Sequence, residues 1–112
     1  LKLSEKHSGK NDLLKIGGQI AYSIVTQLEF LTGAPGNKKD AINQIFNAYY
    51  GIPINHEISE IAIQLMNEYV SGQRVLAVPD CLIAATSLFT GFPILTYNLK
   101  DFVFIKGLKL LK

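Results

Sequence analysis

The chain has 112 residues, of which 48% are hydrophobic, 18% charged and 10% aromatic. This composition excludes a disordered chain, and the length predicts a single domain spanning residues 1–112. Cys81 is the only cysteine, which excludes an intrachain disulfide, and a net charge of +2 is too small to indicate nucleic-acid binding by itself. No apolar stretch reaches the roughly 20 residues that a membrane span needs, so we expect a cytoplasmic protein without a membrane anchor.

The first third of the chain contains one short apolar edge and one strong strand pattern. Residues 13–16 are interpreted as the tail of a helix that ends at a pair of glycines. The β-branched and aromatic run 19–25 predicts a buried strand, and residues 26–32 predict a helix that follows it directly. Ser23 lies where a hydroxyl can cap that helix, and Gly33 lies where a helix ends.

The remaining two thirds alternate helical patterns with short apolar runs. Helices are predicted over 40–50 and 55–70 from apolar residues at helical spacing, with a short extended element between them. The Pro79-Asp80 pair begins a third, largely apolar helix that stops at Gly91. Strand character follows at 93–97 and near the C-terminus. This alternation predicts a three-layer α/β/α sandwich around a mostly parallel sheet.

Three acidic residues fall just after predicted strands or in the turns that follow: Glu29, Asp80 and Asp101. A parallel sheet presents its ligands at the carboxyl ends of its strands, and several carboxylates in one pocket form a hard-oxygen site suited to Mg²⁺ or Mn²⁺. Each acid also has an ordinary structural interpretation. Asp80 can complement a helix dipole, Glu29 can face solvent and Asp101 can form a turn.

Two sets of motifs resemble those of PIN-domain proteins, in particular the VapC toxins of bacterial and archaeal toxin–antitoxin pairs. The first set resembles the C-terminal half of that family and consists of PDCLIAAT at 79–86, Gly91, PILTYN at 93–98 and Asp101-Phe102. The second, SIVTQLE at 23–29 ending with Gly33, resembles the family's second motif, in which a serine at a strand end precedes a helical acid and a glycine.

The resemblance implies a metal-dependent endoribonuclease with Mg²⁺ or Mn²⁺ as its cofactor, RNA as its substrate, an antitoxin protein as its partner and a homodimeric assembly. The metal activates a water that hydrolyses an RNA phosphodiester. Glu29 and Asp80 correspond to the family's second and third acids. The fourth position falls on the neutral Asn98, and Asp101 is the remaining candidate acid. Ser23 and Thr96 are the supporting residues of this implied site.

The family's first acid has no counterpart in the motif pattern. It belongs to an N-terminal strand with an Asp-Thr-Asn type motif, and nothing before Ser23 matches that motif. Glu5 and Asp12 lie in polar surroundings without strand character, so we expect the first strand to be missing. The chain begins at Leu1 and not at Met, from which we expect that upstream residues are absent.

Two other functional hypotheses therefore stay open. One is a catalytically incomplete PIN-like module that binds RNA or protein without cleaving it. The other is a generic phosphatase-like or receiver-like α/β domain, although its lysine and nucleophilic aspartate pattern is not found. Cys81 is interpreted as a core residue. Four lysines are candidate phosphate contacts or ordinary solvated charges: Lys38, Lys39, Lys100 and Lys106.

Overall fold

The computed structural model describes residues 12–16, 18–69, 76–96 and 98–111. Its strands are β1 (Leu13–Ile16), β2 (Gln19–Ser23), β3 (Tyr50–Ile52), β4 (Ile94–Leu95) and β5 (Leu110–Leu111). Its α-helices are α1 (Ile24–Thr32), α2 (Lys39–Asn47), α3 (His56–Glu68) and α4 (Val78–Thr90), with short 3₁₀ helices at Gly36–Lys38 and Leu99–Asp101. The sequence interpretations of Glu5, of the helix end at Val70 and of Tyr97 lie outside the described residues.

The strands form one five-stranded sheet in the order β3-β2-β1-β4-β5. β2 pairs in parallel with β3, and β4 pairs in parallel with β5, while β1 is antiparallel to both β2 and β4. Four of the five strands therefore run in the same direction. The mostly parallel α/β sheet predicted from the alternation of elements is confirmed.

Residues 13–16 are a strand, so their interpretation as a helix tail is wrong. Leu13 and Leu14 are both buried but face opposite sides of the sheet, as successive strand residues do. In a helix tail, the two side chains would lie on the same side of the sheet and would pack into only one of its two apolar clusters. β1 thus occupies the central sheet position for which the sequence showed no strand, although the Asp-Thr-Asn type motif has no counterpart in it.

The two faces of the sheet carry separate apolar clusters. On one face, Leu14, Ala21 and Ile94 pack with residues of α3 and α4. On the other, Leu13 and Tyr22 pack with Phe46 of α2, whose ring lies 4.8 Å from that of Tyr22, measured between centroids. Helices cover both faces, which gives the α/β/α layering.

The ends of the helices follow from local chemistry. The side chain of Asn55 accepts a hydrogen bond from the Ile58 amide at 2.8 Å and begins α3. Gly91 ends α4 with a left-handed φ of 79°, a conformation that glycine adopts without a steric cost. Within the described residues, no helix is both long enough and apolar enough to cross a membrane.

Candidate active site

The carboxylate of Asp80 lies within range of the charges of three other acidic residues. Glu29 is on α1, Asp80 is in the first turn of α4, Asp101 ends the 3₁₀ helix after β4, and Asp12 immediately precedes β1. The pKa of Asp80 is raised to about 7, first by burial and then by the negative charges of Asp101, Asp12 and Glu29, in that order. Asp80 therefore lies within electrostatic range of the other two acids singled out in the sequence and of Asp12.

Asp12 is the acid that the sequence interpretation passed over. It is only 2% exposed and immediately precedes β1, so the expectation that it lies in polar surroundings away from any strand is wrong. Its carboxylate Oδ1 accepts a hydrogen bond from the Thr96 hydroxyl at 2.6 Å, and its main-chain carbonyl accepts one from the Thr26 hydroxyl at 3.0 Å. Both threonines are buried. Asp12 is thus fixed through its main chain and through its side chain.

Thr96 links Asp12 to the segment that carries Asp101. While its hydroxyl donates to Asp12, the same oxygen accepts a hydrogen bond from the Asn98 amide at 2.9 Å. The Asn98 carbonyl in turn accepts from the Asp101 amide at 3.0 Å. One threonine therefore connects the start of β1 with the turn after β4, and the contacts of Asn98 in this chain of bonds are made by its backbone.

Ser23 acts at the start of α1. Its side-chain oxygen accepts a hydrogen bond from the Val25 amide at 3.2 Å, and the residue is 1% exposed. This cap fixes the angle at which α1 leaves β2, and α1 carries Glu29. The predicted capping by Ser23 is confirmed, although α1 begins at Ile24, two residues earlier than expected.

The chemistry of the cluster fits a hard divalent cation, because all four side chains offer carboxylate oxygens. Within the described ranges, however, no three His, Cys, Asp or Glu side chains form a group that could hold a metal ion as they stand. The other three carboxylates act on Asp80 through charge. Bringing like charges closer requires a positive charge between them.

The cysteine and the four lysines considered in the sequence differ in their burial. Cys81 is buried, its thiol donates to the Ala62 carbonyl at a sulfur–oxygen distance of 3.1 Å, and burial followed by the charge of Asp80 raises its pKa. This agrees with a core residue rather than a nucleophile. The four lysines proposed as phosphate contacts are all exposed: Lys38, Lys39, Lys100 and Lys106.

Known proteins resemble this chain over most of its length. Ribonuclease VapC19 of Mycobacterium tuberculosis is 30% identical over 91 residues, which cover 81% of this chain and 73% of that protein. Ribonuclease VapC1 of Methanocaldococcus jannaschii is 30% identical over 104 residues, 90% of this chain and 76% of its own. No family profile matches the chain.

A solved structure shows the same fold. It is a toxin–antitoxin complex from Klebsiella pneumoniae, similar with a TM-score of 0.67 and 28% identity over 82% of this chain and 72% of that one. The sandwich of helices on both faces of a five-stranded sheet is that of a PIN-type α/β/α protein. Together with the two ribonucleases, this likeness shows that the chain belongs to the VapC family of PIN-domain toxins.

Proposed function

We propose that the protein is the ribonuclease toxin of a toxin–antitoxin pair and that it hydrolyses RNA phosphodiesters with Mg²⁺ or Mn²⁺. The observation that supports this most strongly is that a half-buried carboxyl, Asp80, lies within range of the negative charges of Asp101, Asp12 and Glu29. Repulsion between carboxylates costs stability, so such an arrangement favours a functional role. The names of the VapC relatives and of the toxin–antitoxin complex support the same conclusion.

The acids would hold the cation, which supplies Lewis acidity and a bound water of lowered pKa. Glu29 and Asp80 are the proposed principal ligands, with Asp101 and Asp12 completing the negative pocket. We propose Asn98 as an outer contributor, because its backbone is bonded to Thr96 and Asp101. The negative charge of the pocket attracts a cation and repels an RNA phosphate that arrives without one. Substrate approach then depends on the metal neutralising the pocket.

The test uses a fluorescently labelled single-stranded RNA pool and the purified protein with Mn²⁺, with Mg²⁺ or with EDTA. We expect cleavage with either cation and none with EDTA. Asp80→Asn should lower cleavage by at least 100-fold, a size typical of a lost charged group in an active site.

Asp40→Asn is the matched control. Asp40 also lies in the first turn of a helix but is exposed and is absent from the charges that act on Asp80. Its variant should cleave like the wild type. Cleavage that persists in EDTA, or in Asp80→Asn at the wild-type rate, would reject the metal mechanism.

A binding module without catalysis is the second candidate. It is favoured by the neutral Asn98 at the fourth motif position. The same RNA pool distinguishes the two functions, because a binding module would retain the RNA in a filter assay while leaving it intact with every cation. Asp80→Asn is purified in parallel as a control, because a contaminating nuclease would cleave the RNA equally in both preparations.

The proposed partner is an antitoxin whose basic segment enters the acidic pocket. An arginine or lysine there would pair with the carboxylates in place of the metal, as charge-assisted hydrogen bonds allow. We further propose a homodimer, as the resemblance implies, and a cytoplasmic location, where the RNA substrate is found. Size-exclusion chromatography with light scattering tests the dimer directly.

A further inference from the structure

We infer that Thr26 is a positioning residue of the carboxylate cluster: its hydroxyl holds the main chain of Asp12 and thereby sets Asp12 relative to Glu29. The inference rests on the proposed function. It adds a residue that has no carboxylate and that is not one of the proposed metal ligands. It is carried by the bond from the Thr26 hydroxyl to the Asp12 carbonyl, 3.0 Å long between two buried residues.

The sheet explains why the Asp12 carbonyl lies within reach of α1. The antiparallel register pairs Leu14 with Ala21, and its continuation places Asp12 opposite Ser23. Ser23 is the last residue of β2 and the cap of α1, so the backbone beyond it turns into the helix. Thr26, in the first turn of α1, donates its hydroxyl to the Asp12 carbonyl from this side.

The choice of partner by Thr26 is informative, because a buried threonine in a helix commonly bonds to its own helix. Thr86 shows that ordinary case: it is also 0% exposed, and its hydroxyl donates to the carbonyl of Leu82, one turn earlier in α4, at 2.8 Å. Thr26 instead reaches across to another element. It therefore ties α1 to the start of β1 in addition to filling its place in the core.

The position of Thr26 along α1 relates this tie to the acids. Residues three apart lie on the same side of a helix, so Glu29 follows Thr26 on that side by one turn. The contact that anchors α1 to Asp12 is thus adjacent to the helix turn that carries Glu29. Thr96 holds the carboxylate of Asp12 by a separate bond, so loss of the Thr26 hydroxyl would remove a main-chain contact of Asp12 while its bond to Thr96 stays.

The experiment measures Mn²⁺ affinity by isothermal titration calorimetry, together with RNA cleavage at saturating Mn²⁺. Thr26→Val keeps the shape and removes the hydroxyl, whereas Thr26→Ser keeps the hydroxyl. We expect Thr26→Val to weaken Mn²⁺ binding about tenfold, the lower end for residues that position metal ligands. Thr26→Ser should stay within about twofold of the wild type on the same scale. If the valine variant does not fold, Thr26→Ala carries the same expectation.

Thr86→Val is the matched control for removing a buried threonine hydroxyl, and it should bind Mn²⁺ like the wild type. Asp12→Asn provides the second control, since Thr26→Val should add no further loss of Mn²⁺ affinity in that background. Equal affinities of Thr26→Val and Thr86→Val, or a full additional loss on top of Asp12→Asn, would overturn the positioning role alone. A wild-type protein that neither binds Mn²⁺ nor cleaves RNA would instead overturn the proposed function and the positioning role with it.

Discussion

Removal of the charge of Asp80 should stabilise the metal-free protein at neutral pH. The pKa of this carboxyl rises from 3.8 to about 7 on folding, through burial first and then through the charges of Asp101, Asp12 and Glu29. Because this pKa is higher in the folded than in the unfolded state, protonated Asp80 stabilises the folded state relative to ionised Asp80. That stabilisation is fully present below pH 4 and is lost as the pH rises through 7. The asparagine of Asp80→Asn does not ionise, so the variant keeps its stability as the pH rises.

The size of the effect follows from the shift and from the exposure of the side chain. A carboxyl moved from 3.8 to about 7 would cost about 4 kcal/mol above pH 7 if it were sealed from water. Asp80 is only half-buried, so solvent screening leaves an expected gain of about 1–2 kcal/mol for Asp80→Asn. The lost interaction with the N-terminus of α4 offsets about 0.5 kcal/mol of this gain.

The assay is urea denaturation of the wild type and Asp80→Asn in EDTA between pH 4 and pH 8. The difference in unfolding free energy should be small at pH 4, grow with pH and level off above pH 7. Asp40→Asn is the control, because Asp40 also lies in the first turn of a helix but does not act on Asp80. This variant loses only the favourable interaction with the helix N-terminus, so it should be slightly less stable than the wild type. A difference that is independent of pH, or an Asp80→Asn variant less stable than the wild type at pH 8, would refute the electrostatic account of the cluster.

Three further predictions concern the fold and the proposed partner. Gly51→Ala should destabilise the protein by about 1–3 kcal/mol in the same assay, because its new Cβ would lie 2.7 Å from the buried Tyr22 hydroxyl; Gly36→Ala, with nothing within 4 Å, should be near neutral. Asn55→Ala should cost about 1 kcal/mol through loss of the α3 cap, and an unchanged urea midpoint would contradict this. Inhibition of RNA cleavage by a basic antitoxin segment should weaken as Mn²⁺ is raised, since both compete for Asp80 and its neighbours; inhibition insensitive to Mn²⁺ would indicate a block elsewhere.

The sequence predicted best those elements whose residue pattern matches one structure only. α3 has a nearly continuous apolar stripe and an asparagine cap, so both its existence and its start at His56 follow from local chemistry. α4 begins within one residue of Pro79, and Gly91 ends it as expected. These elements place Asp80, and the capped start of α1 places Glu29, so local patterns suffice to locate two of the four acids.

The remaining acids depended on contacts between distant parts of the chain. Asp101 was a candidate by motif, but it is the turn held by Thr96 and Asn98 that places its charge within range of Asp80. Asp12 lies 84 positions from Thr96, the residue that binds its carboxylate. Neither hydrophobic periodicity nor a motif reports such a pairing, because both describe neighbours in sequence.

One local signal nevertheless determines where Asp12 lies. β1 ends at Ile16 and β2 begins at Gln19, so only two residues connect them, and the sequence there is glycine followed by glycine, a pair typical of β-hairpins. A connection this short joins antiparallel neighbours, whereas parallel neighbours need a crossover of about a dozen residues or more. β1 must therefore run against β2, and the residue before β1 must lie at the carboxyl end of β2. An acid at the start of an antiparallel strand thus reaches the same edge of the sheet as an acid at the end of a parallel one.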